Sequence, residues 1–187
     1  MTVAAVLLAA GQSTRFGMAD KLAAPLKGMP LRLHAVRALA PLPLAARFVV
    51  TGRATLDWPG LEVVVNDRPE TGMAHSIALG LAAARRSGAQ AVLIVLADMP
   101  FVPTEHYRRL LACYRGPDSL AASSDGTRRM PPALFGADWF AILETLSGDQ
   151  GARALLDRAE SVVTAPENLH DIDWPEDFAA AQAGAVR

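Results

Sequence analysis

An apolar run near the start of the chain passes directly into a loop of small residues, and this junction constrains the fold most strongly. Residues 3–8 (VAAVLL) are short, branched and uncharged, as in a strand buried on both faces. Residues 8–17 (LAAGQSTRFG) follow, and then Lys21. Small residues let a ligand approach the backbone, successive N–H groups can hold an anion, and Arg15 and Lys21 add positive charge. The junction therefore predicts a polyphosphate-binding loop, with a β-to-α turn carrying two solvated cations as the alternative.

Familiar phosphate and nucleophile motifs do not fit this loop. A P-loop has four residues between its glycines and then Lys and Ser or Thr, whereas five residues separate Gly11 from Gly17 here and Met18 follows. The dinucleotide fingerprint needs a glycine two positions after Gly11, where a serine stands. A nucleophile elbow would end in glycine at the position of Arg15. The loop is therefore a phosphate site of another kind.

Strand-like and helix-like segments alternate along the chain, which predicts an α/β, Rossmann-like, three-layer domain with a mainly parallel central sheet. The most apolar strand candidate, residues 91–97, is expected at the centre of that sheet. No repeat, low-complexity tract or long linker interrupts the pattern, so residues 1–187 are expected to form a single domain. Strands are predicted at residues 3–8, 47–51, 61–65, 91–97, 120–123 and 161–164, with a short one at 133–135 after a loop with two prolines; helices are predicted at 30–40, 72–86, 103–114, 139–146, 152–159 and from about 175.

Composition narrows the partners and the compartment. Hydrophobic residues make up 51 % of the chain and charged residues 20 %, which is enough for a packed core. The net charge of -1 lacks the basic excess of a nucleic-acid-binding surface. The single cysteine cannot form an internal disulfide, and no apolar run approaches the roughly 20 residues of a membrane span. We therefore expect a cytoplasmic protein that binds neither nucleic acid nor membrane.

Asp98 follows the most apolar predicted strand and precedes Met99 and Pro100. A carboxylate at the end of a buried strand is costly unless a partner compensates its charge. Capping of the next helix is the weaker alternative, because Pro103 indicates that this helix begins several residues later. Magnesium favours one or two carboxylates together with substrate phosphates. The sequence therefore predicts that Asp98 binds Mg²⁺.

Three polar features fall at the carboxyl ends of predicted strands: the first loop, the segment 66–76 and Asp98. Open α/β sheets bind their ligands beyond these strand ends. The coincidence predicts a single site at one edge of the sheet.

The loop at residues 8–17, together with Lys21, resembles the signature of the MobA-like nucleotidyltransferases, most closely the molybdenum cofactor cytidylyltransferase branch. The resemblance spans residues 3–178 and implies the nucleotidyltransferase fold. The other segments that carry it are Asn66 with GMAHSI at 72–77, DMP at 98–100, GDQGAR at 148–153 and DIDWPED at 171–177.

This resemblance implies a magnesium-dependent enzyme that transfers CMP from CTP to the terminal phosphate of molybdopterin or its molybdenum form and releases pyrophosphate. A molybdoenzyme that receives the cofactor is a further expected partner. The implied catalytic residues are Arg15, Lys21 and Asp98; the nucleotide-binding residues are Ala9, Ala10, Gly11, Arg15, Lys21, Asn66, Gly72 and Ser76; the acceptor-binding residues are Asp149 and Arg153; and the metal ligands are Asp98 and Asp173.

Departures from the family pattern leave parts of this assignment open. Residues 130–132 are Met-Pro-Pro where the branch has Gly-His-Pro or Gly-Asn-Pro, so the exact acceptor stays open. Trp174 replaces threonine beside Asp173. Asp173 itself is either a metal ligand or the N-cap of a helix that starts with Pro175.

Two other functions remain as alternatives. One is a guanylyltransferase that uses GTP; the other is a non-catalytic nucleotide-binding protein that delivers the cofactor. Retention of Arg15, Lys21 and Asp98 favours an enzyme. Resembling guanylyltransferases have glycine where Ala10 stands, and the additional methyl group narrows the base pocket in favour of CTP.

Overall fold

The computed structural model describes residues 2–11, 21–52, 56–148 and 153–184, with the side chain of Arg153 outside that description. Within these ranges, no helix combines the length and the apolar character needed to cross a membrane. The strands are β1 (Val3–Ala9), β2 (Pro25–Leu26), β3 (Met29–Pro30), β4 (Ala46–Thr51), β5 (Glu62–Val65), β6 (Ala91–Leu96), β7 (Leu120–Ser124), β8 (Arg129–Gly136) and β9 (Glu160–Val163). The α-helices are α1 (Leu31–Leu39), α2 (Met73–Arg86), α3 (Thr104–Ala112), α4 (Phe140–Glu144), α5 (Arg153–Leu156) and α6 (Pro175–Ala183).

Seven strands form one sheet in the order β5-β4-β1-β6-β8-β7-β9. Strands β1, β4, β5 and β6 are mutually parallel, and β7 is parallel to β9. Only β8 runs against its neighbours β6 and β7 within this sheet of described residues. The predicted mainly parallel sheet is confirmed, and β6 occupies its centre as its apolar sequence predicts.

Helices cover both faces of this sheet, which confirms the three-layer arrangement. Side chains alternate along β1, so that Leu7 belongs to one buried cluster and Val6 and Leu8 to the other. Helices α1, α3 and α6 contribute to the first cluster, and α2, α4 and α5 contribute to the second. Gly80 lets α2 approach the sheet closely, because a Cβ atom there would overlap Val6 and lie 3.0 Å from Val50.

The segment with two prolines differs from its prediction. Strand β8 begins at Arg129 instead of near position 133, so the prolines lie inside the strand. The pairing of β7 with β8 shifts between Ala122 and Ser123, and Pro131 and Pro132 occupy the shift. Proline has no N–H to donate to a ladder, and an irregularity of this kind accommodates it without leaving the sheet.

Two smaller differences occur near helix starts. Pro30 is the N-cap of α1 and not its first residue, because it pairs with Pro25 in the short β2–β3 hairpin. The predicted helix at 152–159 is reduced to the four residues of α5 within the described chain. The other predicted strands and helices agree with the structure to within a few residues at each end.

Candidate active site

The carboxyl ends of the parallel strands bring the predicted segments to one edge of the sheet. Residues 10–11 follow β1, and Asp98 lies in the turn after β6. The N–H of Ala97 donates to the carbonyl of Leu8 at 3.0 Å, which holds this turn against the end of β1. Ala9 and Ala10 are buried, while Gly11 is exposed; within the part of the chain that the structure describes, a Cβ atom on Gly11 would meet nothing within 4 Å. The backbone therefore emerges from the core at Gly11, at the same edge of the sheet as Asp98.

Lys21 joins two carboxylates at this edge. Its Nζ lies 2.9 Å from Oδ2 of Asp98 and 3.2 Å from Oδ1 of Asp173. The Lys21 side chain is 9 % exposed, whereas those of Asp98 and Asp173 are 27 % and 38 % exposed. A largely buried ammonium needs such acceptors, because desolvation without compensation is costly. We call Lys21, Asp98 and Asp173 the charged cluster.

Backbone hydrogen bonds hold the segments that carry the charged cluster. Lys21 starts a short 3-10 helix, and its carbonyl accepts the N–H of Ala24 at 3.2 Å. The carbonyl of Asp98 accepts the N–H of Ile172 at 2.9 Å. Because Ile172 is fully buried, the segment before α6 is fixed against the turn after β6. Asp173 is thereby placed next to Asp98.

Asp177 holds Asp173 from the other side. Its Oδ2 accepts the N–H of Asp173 at 3.1 Å and the N–H of Trp174 at 2.8 Å. The N-cap of α6 is Trp174, so Asp173 lies one residue before the cap. Asp173 is therefore not the N-cap of α6, and the carboxylate of Asp173 contacts Lys21 instead.

Asp171 adds negative charge near the charged cluster. Burial first, and then the charges of Asp173 and Asp98, raise the pKa of the Asp171 carboxyl above its ordinary value. The neighbourhood thus combines several carboxyl groups with the Lys21 ammonium. Such a concentration of negative charge favours cations.

Asn66 and Ser76 form a second, neutral pair. Both side chains are buried, and Nδ2 of Asn66 donates to Oγ of Ser76 at 2.9 Å. Oδ1 of Asn66 accepts the N–H of Arg68 at 2.9 Å. Gly72 supports the same turn with a φ of 93°, a conformation that glycine adopts without strain, and it precedes the first residue of α2. These bonds fix the backbone of residues 66–72 and tie it to α2.

Comparison with known proteins identifies the chain. Residues 5–162 match the family described as the MobA-like NTP transferase domain. The protein belongs to this MobA-like family. It is 34 % identical over 192 residues to the purine catabolism protein PucB of Bacillus subtilis, with 92 % of each chain covered. It is 33 % identical to a molybdenum cofactor guanylyltransferase of Rhodobacter capsulatus, with 97 % of this chain and 96 % of that protein covered.

Solved structures agree in fold. A nucleotidyl transferase from Methanothermobacter thermautotroptrophicus superposes with a TM-score of 0.83 at 21 % identity, covering 100 % of this chain and 98 % of that one. Rv0371c of Mycobacterium tuberculosis, solved in complex with manganese, gives a TM-score of 0.80 at 20 % identity, covering 98 % and 99 %. The predicted MobA-like family and the predicted Rossmann-like nucleotidyltransferase fold are therefore confirmed, and the chain is a MobA-like nucleotidyltransferase.

The charged cluster of this MobA-like protein fits a divalent cation that is shared with a substrate. Among the described residues, no group of three or more His, Cys, Asp and Glu side chains could hold a metal by itself. Two carboxylate oxygens nevertheless converge on one positive charge, the Lys21 ammonium. Magnesium is typically bound by one or two carboxylates, with water and substrate phosphates completing its octahedral shell. The donor set therefore suits a metal that arrives with a triphosphate.

The structure brings some predicted site residues of the MobA-like chain together and leaves others undescribed. Lys21, Asp98 and Asp173 form the charged cluster, and Asn66 bonds with Ser76. Arg15 and Asp149 lie outside the described residues, as does the side chain of Arg153. The start of the GDQGAR segment is fixed, because the carbonyl of Gly148 accepts the N–H of Ala74 at 3.2 Å. This bond links the predicted acceptor segment to the first turn of α2.

The sequence analysis includes two further acidic residues near the charged cluster in the DIDWPED segment but assigns neither of them a role. Asp177 follows Pro175 by two positions, and an acidic residue in the first turn after proline is a signal for helix capping that could have identified it. Asp171 begins the DIDWPED segment, but nothing local predicts that it lies near Asp98. Its proximity to Asp98 depends on the bond between the Ile172 N–H and the Asp98 carbonyl, which spans distant parts of the chain.

Proposed function

We propose that this MobA-like nucleotidyltransferase is a magnesium-dependent molybdenum cofactor cytidylyltransferase. It transfers CMP from CTP to the terminal phosphate of molybdopterin, or of its molybdenum form, and releases pyrophosphate. The observation that carries the proposal is the contact of Lys21 with Asp98 and Asp173 at the carboxyl edge of the sheet. The Lys21 ammonium can bind phosphate, and the two carboxylates can bind a metal. Each carboxylate lies within hydrogen-bonding distance of the ammonium.

In the proposed reaction, an oxygen of the acceptor's terminal phosphate attacks the α-phosphorus of CTP. A new P–O bond forms while the bond from the α-phosphorus to the α,β-bridging oxygen breaks, and pyrophosphate leaves with that electron pair. The acceptor phosphate is already ionised, so no side chain has to remove a proton. Catalysis then rests on positioning and charge neutralisation.

Each charged residue has a distinct part in this proposal. Lys21 and Arg15 bind the phosphates of CTP and stabilise the departing pyrophosphate. Asp98 and Asp173 hold Mg²⁺, which when bound neutralises the charge that develops on the transferring group. Gly11 is exposed and has no Cβ atom of its own, which favours approach of the triphosphate to the backbone at the end of β1.

The preference for CTP is proposed from Ala10, which is buried at the end of β1. The resembling guanylyltransferases have glycine there, and one methyl group is typically worth about 1–3 kcal/mol in discrimination. The Rhodobacter capsulatus relative is named a guanylyltransferase, which keeps GTP as a second candidate. Ala10→Gly should therefore shift the ratio of kcat/KM values toward GTP by about tenfold. An unchanged ratio would mean that Ala10 does not determine the preference for CTP, while the proposed nucleotidyl transfer itself would be unaffected.

The acceptor and the partner are proposed from the relatives. One relative is named for the molybdenum cofactor, which supports a pterin acceptor, and a molybdoenzyme that receives the product is proposed with it. Asp149 and Arg153 are proposed to bind the acceptor. The fixed position of Gly148 beside Ala74 supports this, since it starts the segment next to the nucleotide-side helix.

Pyrophosphate release tests the proposal directly. The purified protein is incubated with Mg²⁺ and each of the four nucleoside triphosphates, with and without molybdopterin. We expect release with CTP only when the acceptor is present. Faster release with GTP would overturn the cytidylyltransferase assignment. If a folded protein binds nucleotide but releases no pyrophosphate under any condition, the non-catalytic delivery function is favoured.

A further inference from the structure

We propose that Lys21 makes divalent-metal binding depend on the nucleoside triphosphate. Its ammonium contacts Asp98 and Asp173, the two carboxylates that would hold the metal. When a triphosphate binds, Lys21 moves its side chain to the phosphates and releases the two carboxylates to the metal. This inference rests on the proposed function for the roles of these three residues. It adds that the triphosphate engages Lys21 before the metal takes the two carboxylates.

The geometry makes the ammonium and the metal competitors. Nζ of Lys21 already bonds to Oδ2 of Asp98 at 2.9 Å and to Oδ1 of Asp173 at 3.2 Å. A magnesium ion held by Asp98 and Asp173 would use the carboxylates that these two hydrogen bonds occupy. Two cations in that space would share acceptors and repel each other. One must leave before the other can bind fully.

Burial explains why the ammonium does not leave without a replacement partner. The Lys21 side chain is only 9 % exposed, so water compensates little for the loss of two carboxylate acceptors. Breaking one side of a buried charge pair is costly because the remaining charge is left uncompensated. A triphosphate supplies several anionic oxygens and removes this cost. The carbonyl of Lys21 is held by Ala24, so the exchange needs movement of the side chain alone.

The exchange couples two binding equilibria. If the triphosphate raises the affinity for the metal, then the metal must raise the affinity for the triphosphate by the same factor. A metal ion without nucleotide is disfavoured, because it has to displace Lys21 with nothing to receive it. The charged cluster would therefore select metal that arrives with phosphates over free metal.

The experiment measures Mn²⁺ binding without nucleotide, by electron paramagnetic resonance of the free ion, on the full chain. Lys21→Met is compared with the wild type and with Lys27→Met. Lys27 is the other lysine of this sequence, and its exposed ammonium lies 5.4 Å from the centre of the Phe101 ring. We expect Lys21→Met to bind Mn²⁺ at least about tenfold more tightly than the wild type, and Lys27→Met to match the wild type.

A second salt condition separates exchange from general repulsion. Repulsion between solvated charges is largely screened at about 0.5 M salt, whereas competition for the same oxygens persists. We expect the difference between Lys21→Met and the wild type to remain there. Adding Asp98→Asn to Lys21→Met should abolish the gain, because it removes one of the oxygens. Circular dichroism and urea unfolding establish that each variant is folded, and Lys21→Gln replaces Lys21→Met if that variant does not fold.

The two hypotheses fail in different ways. Equal Mn²⁺ affinity in Lys21→Met and the wild type, or a gain that disappears at high salt, overturns the exchange even if the wild type transfers CMP. Absence of pyrophosphate release in the wild type overturns the proposed function, while tighter Mn²⁺ binding by Lys21→Met would still support the exchange. The metal measurement uses no turnover, so each result is obtained independently.

Discussion

The charged cluster and the Asn66–Ser76 pair lie beyond strands of the same sheet, but they differ in whether their polar side chains can still bind a ligand. Asn66 and Ser76 are buried, and the amide of Asn66 bonds on both sides, to Ser76 and to the backbone of Arg68. Asp98 and Asp173 are partly exposed, and their shared partner is a side chain that can move. The neutral pair therefore stabilises one backbone conformation, whereas the charged cluster can exchange its partners for a ligand.

Asp98→Asn should give the largest functional effect and separate the two regions most clearly. The change removes the charge that would hold Mg²⁺, and we expect a rate loss of at least ~100-fold with the fold retained. Pyrophosphate release measures the rate, and urea unfolding measures stability. Asp138→Asn, on an exposed residue after β8, is the matched control and should leave both unchanged. Near-normal turnover in folded Asp98→Asn would contradict the metal assignment.

Asn66→Ala should have the opposite profile, with stability as the main loss. It leaves Ser76 and the N–H of Arg68 without their amide partner, at an expected cost of about 1–3 kcal/mol in the free energy of unfolding. Thr71→Val is the control, because its exposed hydroxyl also bonds to Arg68 but in contact with water. A stable Asn66→Ala protein with greatly reduced nucleotide affinity would instead assign Asn66 a direct contact with the ligand.

The sequence predicts these two regions to different extents. Asp98 could be found because a charged residue ends an apolar strand, a local contrast. The partnership of Lys21 could not, since its contacts span 77 residues to Asp98 and 152 to Asp173. The sequence also does not predict that β8 begins at Arg129, because Pro131 and Pro132 are typical of loops. Only the pairing of β8 with its neighbouring strands keeps these prolines in the sheet.

His106 belongs to another buried polar network, which lies on the other side of the sheet from the Asn66–Ser76 pair. Its Nε2 lies 2.7 Å from Oγ of Ser123, which donates to the carbonyl of Pro132 at 2.8 Å. Burial, and then the charge of Arg109, lowers the pKa of His106 to about 4. This network is buried beneath β8 and has no described contact with the charged cluster.

Acidification should therefore weaken the fold through His106. Its pKa in the folded state is below the unfolded value of about 6.5, so the unfolded chain binds more protons between these values and stability falls as pH falls. From pH 7 to pH 5 we expect a loss of about 2 kcal/mol from this group, measured by urea unfolding. His106→Gln should reduce that dependence. An equal loss in wild type and His106→Gln would assign it to other groups.

Asp177→Ala should produce the smallest effect, and it tests whether the charged cluster needs support from outside. The change removes the carboxylate that accepts the N–H groups of Asp173 and Trp174, which should cost about 1 kcal/mol of stability. Glu176→Ala changes the same helical turn without removing those bonds and is the control.

Because Asp173 is also held through the neighbouring bond of Ile172 to Asp98, its carboxylate should loosen without leaving the site. We therefore expect Mn²⁺ affinity in the presence of a non-hydrolysable CTP analogue to fall only a few-fold, in contrast to Asp98→Asn. Loss of stability with unchanged metal affinity would mean that the Ile172 contact alone positions Asp173.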